Sequence, residues 1–187
     1  THPDDIAIES LRSIRTAIRF ALNSAKNNVI MISGPTPKVG KSFISSNLAA
    51  VFAQMGSRVL IIDADLRRGY VHKYFSLDAQ PGLSDYLNEE CQLDQVVHST
   101  QIAGLSVITR GKNPTNPSSP RFKALLDQLS TQFDYVIIDT PPILAVTDGV
   151  IISEYIGMNL VVARYAKTHM QQLETTIKRF EHAGAKV

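Results

Sequence analysis

Five runs of mostly apolar residues predict β-strands along the chain, at 29–32, 58–63, 105–109, 135–139 and 159–164. The runs at 58–63 and 135–139 show no polar alternation, which is typical of strands buried on both faces of a parallel sheet. Apolar residues at helical spacing predict helices elsewhere, at 42–55, 70–75, 83–88, 93–98, 120–130, 148–155 and 168–183. This alternation predicts an α/β fold, a parallel sheet with helices on both faces, in a single domain of residues 1–187.

The segment 6–22 predicts a further helix, whose two sides differ in character. Its apolar stripe consists of Leu11, Ile14, Ile18, Ala21 and Leu22. Another face carries charged residues, Glu9, Arg12, Arg15 and Arg19. The spacing permits an ion pair from Glu9 to Arg12 within the helix, and it equally permits contact with a neighbouring subunit. Spacing alone does not distinguish a solvated face from an interface.

The segment 29–42, VIMISGPTPKVGKS, runs from a strand through a Gly- and Pro-containing turn into a helix, the order typical of a phosphate-binding loop. Backbone N–H groups and a helix N-terminus would surround the phosphates of a nucleotide such as ATP. We expect Lys41 to reach the β- and γ-phosphates and the Ser42 hydroxyl to bind Mg²⁺. Gly34 stands one residue earlier than the first glycine of the usual G-x-x-x-x-G-K-[ST] pattern, so Pro35 takes that place. The residues predicted to contact the nucleotide are Thr36, Pro37, Lys38, Val39, Gly40, Lys41, Ser42 and Phe43.

Two predicted strands end in aspartate, at Asp63 and Asp139, and Asp65 follows the first of them. Ligands of parallel sheets bind beyond the carboxyl ends of the strands, so these carboxylates are expected near the phosphate-binding loop. Asp139 and Asp63 would hold Mg²⁺ together with Ser42, or Asp63 would orient or deprotonate an attacking hydroxyl, water or phenol. Asp65 would support Lys41 or the water shell of the metal. Carboxylates at strand ends also often only cap the next turn, and that interpretation stays open.

The composition excludes several classes of protein. The chain has 187 residues, a formal net charge of +2 at pH 7 and one cysteine, Cys91. The small charge does not indicate nucleic-acid binding, although Arg67, Arg68 and Lys73 form a cluster that suits an anionic ligand or partner. One cysteine excludes an internal disulfide and fits a reducing compartment. No apolar run approaches the length of a membrane-spanning helix, and no secretion signal is recognisable.

These motifs resemble those of the bacterial tyrosine kinases (BY-kinases), the cytoplasmic catalytic domains that accompany capsule and exopolysaccharide export. The likeness covers nearly the whole chain and rests on four segments, IAIESLRSIRTAIRF, SGPTPKVGKS, VLIIDADLRR and YVIIDTPP. Its most specific parts are D-x-D-x-R, the Walker A′ motif of the family, and E-x-x-R-x-x-R. These motifs correspond here to Asp63, Asp65 and Arg67, and to Glu9, Arg12 and Arg15.

The resemblance implies an ATP- and Mg²⁺-dependent tyrosine kinase. It implies that the enzyme phosphorylates, in trans, a tyrosine-rich C-terminal tail of the neighbouring subunit and thereby regulates polysaccharide polymerisation and export. Lys41, Asp63 and Asp65 would be catalytic, and Glu9, Arg12 and Arg15 would join subunits into a homo-oligomeric ring, commonly an octamer. The family also implies a location at the cytoplasmic face of the bacterial inner membrane. The implied partners are a membrane-spanning activator and a cognate low-molecular-weight tyrosine phosphatase, with no nucleic acid.

The chain departs from the family pattern in three places. Its six tyrosines form no C-terminal cluster, and the strand expected to begin near Lys186, which helps enclose the adenine in the family, is not complete. Because the chain begins at Thr1 without Met and stops at Val187, we expect it to be a fragment of a longer protein. The sequence NPSSP at 116–120 stands where the family usually has N-P-S-E-L-L, which indicates residues missing near Ser118.

Tyr70, just beyond the Walker A′ arginines, resembles the internal tyrosine that some proteobacterial members phosphorylate. We hypothesise that its unmodified ring blocks the phosphate site. Phosphorylation would then move it toward a basic partner, of which Arg110 is the best candidate, with Arg67 as a further regulatory residue. An ordinary half-buried tyrosine and a solvated arginine fit the spacing equally well.

A second class with the same loop is that of the ParA/MinD-like partition or positioning ATPases, the deviant Walker A group. Those proteins carry a second lysine just after the first glycine of the loop, where this chain has Thr36. Lys38 lies two residues away and is not equivalent. This difference and the helix with Glu9, Arg12 and Arg15 argue against that class. A third alternative is a nucleotide-binding scaffold whose chemistry is incidental to ring assembly.

Overall fold

The computed structural model describes residues 6–113, 115, 119–185 and 187. Within these ranges the helices are α1 (Ile6–Leu22), α2 (Lys41–Gln54), α3 (Val71–Tyr74), α4 (Leu83–Leu87), α5 (Leu93–Val96), α6 (Pro120–Gln132), α7 (Asp148–Ser153) and α8 (Met170–His182). The strands are β1 (Val29–Ser33), β2 (Val59–Asp63), β3 (Val97–Ser99), β4 (Leu105–Ile108), β5 (Tyr135–Asp139) and β6 (Met158–Val161). The predicted strand near Lys186 and the segment 116–118 lie outside the described residues.

The strands form one sheet in the order β3-β4-β2-β5-β1-β6. The central strand β5 pairs in parallel with β1 on one side and β2 on the other. Asp139 at its end stands opposite Ile32 of β1 and opposite Asp63 of β2. The carboxyl ends of the three central strands therefore meet at one edge of the sheet, directly beside the segment that follows β1.

The sheet separates two apolar layers, as the prediction of helices on both faces requires. Val136 and Ile138 of β5 pack with Phe122 of α6 in one layer. Ile137, between them, packs in the other layer with Phe52 of α2. Every residue of β1 and β2 is buried, which explains their unbroken apolar runs. The predicted α/β fold, a parallel sheet with helices on both faces, is confirmed, with the antiparallel strand β3 added at one edge.

The edge strand β3 corrects the prediction at 93–98, where the whole segment was expected to be helical. The helix ends at Val96, and Val97 pairs antiparallel with Ile108 of β4. The His98 ring donates a hydrogen bond of 2.7 Å to the Pro81 carbonyl. Short segments with a few apolar residues fit both helix and strand patterns, and here pairing with β4 decides the outcome.

Two further expectations need correction. Ile14 is 40% exposed and Ala21 is exposed, so the buried stripe of α1 is narrower than predicted and rests mainly on Leu11 and Ile18. The strand predicted to reach Arg164 ends at Val161, and residues 162–164 have no regular secondary structure. In the described part of the chain, no helix is both long and apolar enough to cross a membrane.

Candidate active site

The loop from β1 to α2 brings an uncapped helix N-terminus to the edge of the sheet. Gly40, which precedes α2, has φ +109, in the left-handed region that favours glycine. No side chain caps α2, and its first turn has no acidic residue. Its free N–H groups and partial positive charge are thus available to an anion. Lys41 and Ser42 begin this helix, and both are buried.

Gly34 allows the chain around it to pack closely. A Cβ atom on it would lie 2.7 Å from Val39 Cγ2 and 2.9 Å from the Val162 carbonyl oxygen. Arg164, just beyond β6, donates a hydrogen bond of 3.3 Å to the Lys38 carbonyl in the same loop. Arg164 was not among the predicted site residues, since no motif marks it and its contact depends on β6 lying beside β1.

Ser42 and Asp139 are joined directly. The Ser42 hydroxyl donates a hydrogen bond of 2.5 Å to Asp139 Oδ2. Burial raises the pKa of Asp139 to about 6, although the Ser42 hydrogen bond and the charge of Lys41 oppose this increase. Burial likewise lowers the pKa of Lys41, against the opposing charges of Asp139 and Asp65. The predicted lysine, hydroxyl and carboxylate thus lie together in one poorly solvated cluster.

Asp63 lies at the same edge but is enclosed by its own loop. It is fully buried; Oδ1 accepts a hydrogen bond of 3.2 Å from Asp65 N–H, and Oδ2 accepts one of 3.0 Å from Val71 N–H. Burial, and secondly the neighbouring charge of Asp139, raise the pKa of Asp63 well above its ordinary value. Two adjacent buried carboxyl groups disfavour each other's ionisation, so this pair tends to retain a proton.

A cavity of about 510 Å³ opens beside this cluster. Its lining comes from the phosphate-binding loop, the Walker A′ segment after β2 and the segment after β5. The lining residues are Pro37, Lys38, Gly40, Lys41, Ser42, Asp65, Arg67, Arg68, Gly69, Tyr70, Pro141, Pro142, Ala145 and Val146. Asp65 therefore faces the cavity, whereas Asp63 and Asp139 lie behind its surface.

Comparison with known proteins decides between the classes that share this loop. The sequence profile of the AAA domain family, AAA_31, matches residues 27–186. The structure superimposes on the kinase domain of the Escherichia coli tyrosine kinase ETK with a TM-score of 0.94 and 42% identity, over 98% of this chain and 74% of that one. The chain belongs to the bacterial tyrosine kinase family. This assignment confirms the resemblance to the BY-kinases that the sequence motifs indicated.

Other relatives agree with this assignment. Tyrosine-protein kinase ptk of Acinetobacter johnsonii is 67% identical over 188 residues, which are 98% of this chain and 26% of that protein. The BY-kinase domain thus spans about a quarter of the length of the curated relatives it matches. The cell-division ATPase MinD of Pyrococcus furiosus superimposes with a TM-score of 0.73 at 20% identity, over 85% of this chain and 68% of that one, which shows a common fold alone.

The residues of the BY-kinase domain fit Mg²⁺ with ATP. Asp139 Oδ1 is buried and has no hydrogen-bond partner among the described residues, and Ser42 lies beside it. Across the described ranges, no three His, Cys, Asp or Glu side chains are grouped to hold a metal by themselves. That suits Mg²⁺, which takes few protein ligands and binds through water and phosphate oxygens. When bound, Mg²⁺ would neutralise charge on the phosphates.

Tyr70 and Arg110, the residues of the hypothesised switch, both lie at the Walker A′ segment. Tyr70 lines the cavity, and its ring centroid is 5.8 Å from that of Tyr74. Arg110 donates a hydrogen bond of 3.3 Å to the Arg67 carbonyl, and its Nε is buried without a partner among the described residues. The placement is compatible with the switch, which stays a prediction.

The charged face of α1 lies apart from the cavity. Arg12 forms an ion pair of 3.0 Å with Glu9 within the helix, as one of the two predicted alternatives requires. Arg15 Nε is buried and has no partner among the described residues. The oligomerisation role of Glu9, Arg12 and Arg15 therefore stays a prediction.

Proposed function

We propose that this domain is the catalytic part of an ATP-dependent tyrosine autokinase. It would phosphorylate a C-terminal tyrosine cluster of the neighbouring subunit in trans and so regulate polysaccharide polymerisation and export. The proposal is carried by the convergence of Lys41, the Ser42–Asp139 pair and Asp63 at the carboxyl edge of three adjacent strands. Family membership supplies the acceptor, tyrosine, which this convergence alone does not specify.

Phosphoryl transfer depends on position and charge more than on covalent participation of the protein. The phenol oxygen of the acceptor would bond to the γ-phosphorus, and the bond from that phosphorus to the bridging oxygen would break, its electron pair leaving with ADP. Lys41 and the α2 N-terminus would offset phosphate charge, and Ser42 and Asp139 would hold the metal's water shell. The phenolic proton would pass to the ionised form of Asp63. Burial raises the pKa of this carboxyl group, which increases the proton affinity of the carboxylate and also lowers the fraction that is ionised.

Two assays test the proposal. The protein is incubated with Mg-ATP and a tyrosine acceptor, and both phosphotyrosine and released phosphate are measured. Phosphotyrosine formation supports the kinase. Release of phosphate without phosphotyrosine would instead support an ATPase of the ParA/MinD kind. If neither product formed, the result would favour the nucleotide-binding scaffold.

Gly69 supplies a prediction about the Walker A′ segment. A Cβ atom there would lie 2.1 Å from Asp63 Oδ1 and 2.4 Å from Oδ2, so Gly69→Ala must displace either the loop or the carboxylate. We expect tyrosine phosphorylation to fall about tenfold or more, because misplacing a reacting group by a fraction of an ångström is costly. Rates are measured alongside far-UV circular dichroism.

Gly184→Ala is the matched control for Gly69→Ala. Gly184 follows α8, and a Cβ atom on it would meet nothing within 4 Å. Its φ of +70 makes alanine mildly strained, by about 1 kcal/mol. Because Gly184 does not line the active-site cavity, the kinase rate should be unchanged. If Gly69→Ala retains the full rate, contact of Gly69 with Asp63 does not matter for transfer.

The proposed ring assembly rests on α1. Arg15 Nε has no hydrogen-bond partner in the described part of the chain, and Ile14 and Phe20 are exposed. These side chains suit burial against another subunit. We expect Arg12→Ala combined with Arg15→Ala to convert a ring, including the octamer expected for the family, into monomers. Sedimentation velocity measures this, with Lys123→Ala plus Lys178→Ala as a control of equal charge. An unshifted sedimentation coefficient would assign α1 a solvated face.

Several properties of the whole protein are proposed from the family alone. The single-domain organisation of residues 1–187 is proposed separately, from the chain length and the alternation of strands and helices. The family-based properties are a place at the cytoplasmic face of the inner membrane, a membrane-spanning activator, and a low-molecular-weight tyrosine phosphatase as partner. The regulatory pair of Tyr70 and Arg110, with Arg67, belongs with them. A nucleic-acid partner is not proposed, since the net charge of the chain is only +2.

A further inference from the structure

We propose that the apolar wall of the cavity, formed by Pro141, Pro142, Ala145 and Val146, is the subsite that holds the phenol ring of the acceptor tyrosine. This inference rests on the proposed kinase function. It identifies the residues that would make the enzyme prefer an aromatic acceptor, such as tyrosine, to an aliphatic alcohol.

The apolar wall differs chemically from the rest of the cavity. Lys41, Ser42 and Asp65 offer charged and hydrogen-bonding groups suited to a metal-bound triphosphate. The apolar wall offers none from its side chains, and its two prolines also lack a backbone N–H. A phosphate gains nothing from such a surface, whereas an aromatic ring is stabilised by contact with it.

The position of the apolar wall favours the acceptor ring over the adenine of ATP. The wall begins at Pro141, two residues after Asp139, whose carboxylate accepts the Ser42 hydrogen bond. It therefore starts at the end of the site where the metal and the transferable phosphate are expected. The Walker A′ segment lines the same cavity, and its Tyr70 shows that a phenol ring of this chain already borders the space.

The apolar wall is fixed to the phosphate-binding loop by backbone hydrogen bonds. Ile143 N–H donates to the Gly34 carbonyl at 3.0 Å, and Leu144 N–H donates to the Pro35 carbonyl at 3.2 Å. Arg179 of α8 donates to the Ile143 carbonyl at 2.6 Å. A ring lying on the apolar wall would thus keep a constant distance from the phosphates, which is the preorganisation that transfer requires.

Three of the four residues of the apolar wall are accessible, although the segment is anchored and Pro141 is buried. Ile143 is fully buried, whereas Val146 and Pro142 are only half-buried and Ala145 is exposed. A substitution at Ala145 therefore changes the cavity surface without entering the core.

The test compares Ala145→Asp with Thr147→Asp. Both place a carboxylate in the same segment, but Thr147 lies outside the cavity lining, is exposed, and precedes α7, where aspartate is a favourable N-cap. The acceptor is a synthetic peptide with one tyrosine. We expect Ala145→Asp to lower kcat/KM for the peptide about tenfold or more, chiefly through KM, and to change Mg-ATP affinity less than about twofold. Thr147→Asp should match the wild type.

A second variant avoids introducing a charge. Val146→Ala removes two carbon atoms from the apolar wall and should raise KM for the peptide about threefold or more. Unchanged peptide kinetics in both wall variants would overturn the subsite. Mg-ATP affinity that falls as far as peptide phosphorylation would also overturn it, by assigning the apolar wall to the nucleotide. A wild type that releases phosphate but never labels the peptide would instead refute the proposed kinase function, and the subsite with it.

Discussion

Lys41→Met should lower the rate of tyrosine phosphorylation by about 100-fold or more, because it removes a preorganised charge from the transferring phosphate. Lys41 is only 8% exposed, and burial already lowers the pKa of its ammonium group against the opposing charges of Asp139 and Asp65. Methionine retains most of the buried apolar stem. Since burying the ammonium already costs free energy, its removal should not unfold the protein.

Initial rates of phosphotyrosine formation at saturating Mg-ATP measure this effect. Lys178→Met is the matched control, because Lys178 is exposed on α8 and loses the same charge. Its rate should equal that of the wild type. If Lys41→Met kept more than about a third of the wild-type rate, Lys41 would not act on the transferred phosphate.

Asp139→Asn should raise the stability of the nucleotide-free protein near neutral pH, because burial raises the folded-state pKa of Asp139. The folded-state pKa of about 6 exceeds the ordinary value of 3.8. Below the lower value the carboxyl group is protonated in both states. Between the two values only the unfolded chain ionises it, so the wild type loses stability as pH rises, on the order of 3 kcal/mol by pH 6. Asparagine does not titrate and still accepts from Ser42.

Urea unfolding at about pH 4 and about pH 7.5 tests this sign. The advantage of Asp139→Asn should be present at the higher pH and absent at the lower. Asp134→Asn is the control, because exposed Asp134 pairs with Arg58 at 2.8 Å and its pKa is lowered. Its loss near neutral pH should be small, below about 1 kcal/mol. An Asp139→Asn protein less stable than the wild type at both pH values would contradict the argument.

The interior of the sheet was predictable because burial on both faces leaves an unbroken apolar run. This holds for β2 and β5, whose observed bounds agree with the prediction within one residue. The edge was not predictable: Val97 and His98 become a strand only because β4 lies beside them. Likewise, Ile14 fits the apolar period of α1 but is exposed. The spacing of apolar residues does not indicate whether another element packs against a given position.

The candidate site was predictable where side-chain chemistry follows local order. Lys41 and Ser42 open α2, and Asp139 ends β5, so a strand–loop–helix pattern and a terminal carboxylate were sufficient to group them. Three other features are visible only in the folded structure. They are the hydrogen bond from Val71 N–H to Asp63, the hydrogen bond from Arg164 to the phosphate-binding loop, and the apolar wall. Each of these depends on a contact between segments that no spacing rule connects.

The pairing of β5 between β1 and β2 also constrains how the molecule can fold. Val29 of β1 pairs with Val136, and Val59 of β2 pairs with Tyr135. The strands that lead into the phosphate-binding loop and the Walker A′ segment therefore meet their central neighbour only after β5, far along the chain, has been made. Such non-local pairing makes a high contact order, and closing these long loops slows folding. A ribosome-bound chain that has not yet released β5 cannot assemble the nucleotide site, so nucleotide capture would report that the sheet has closed.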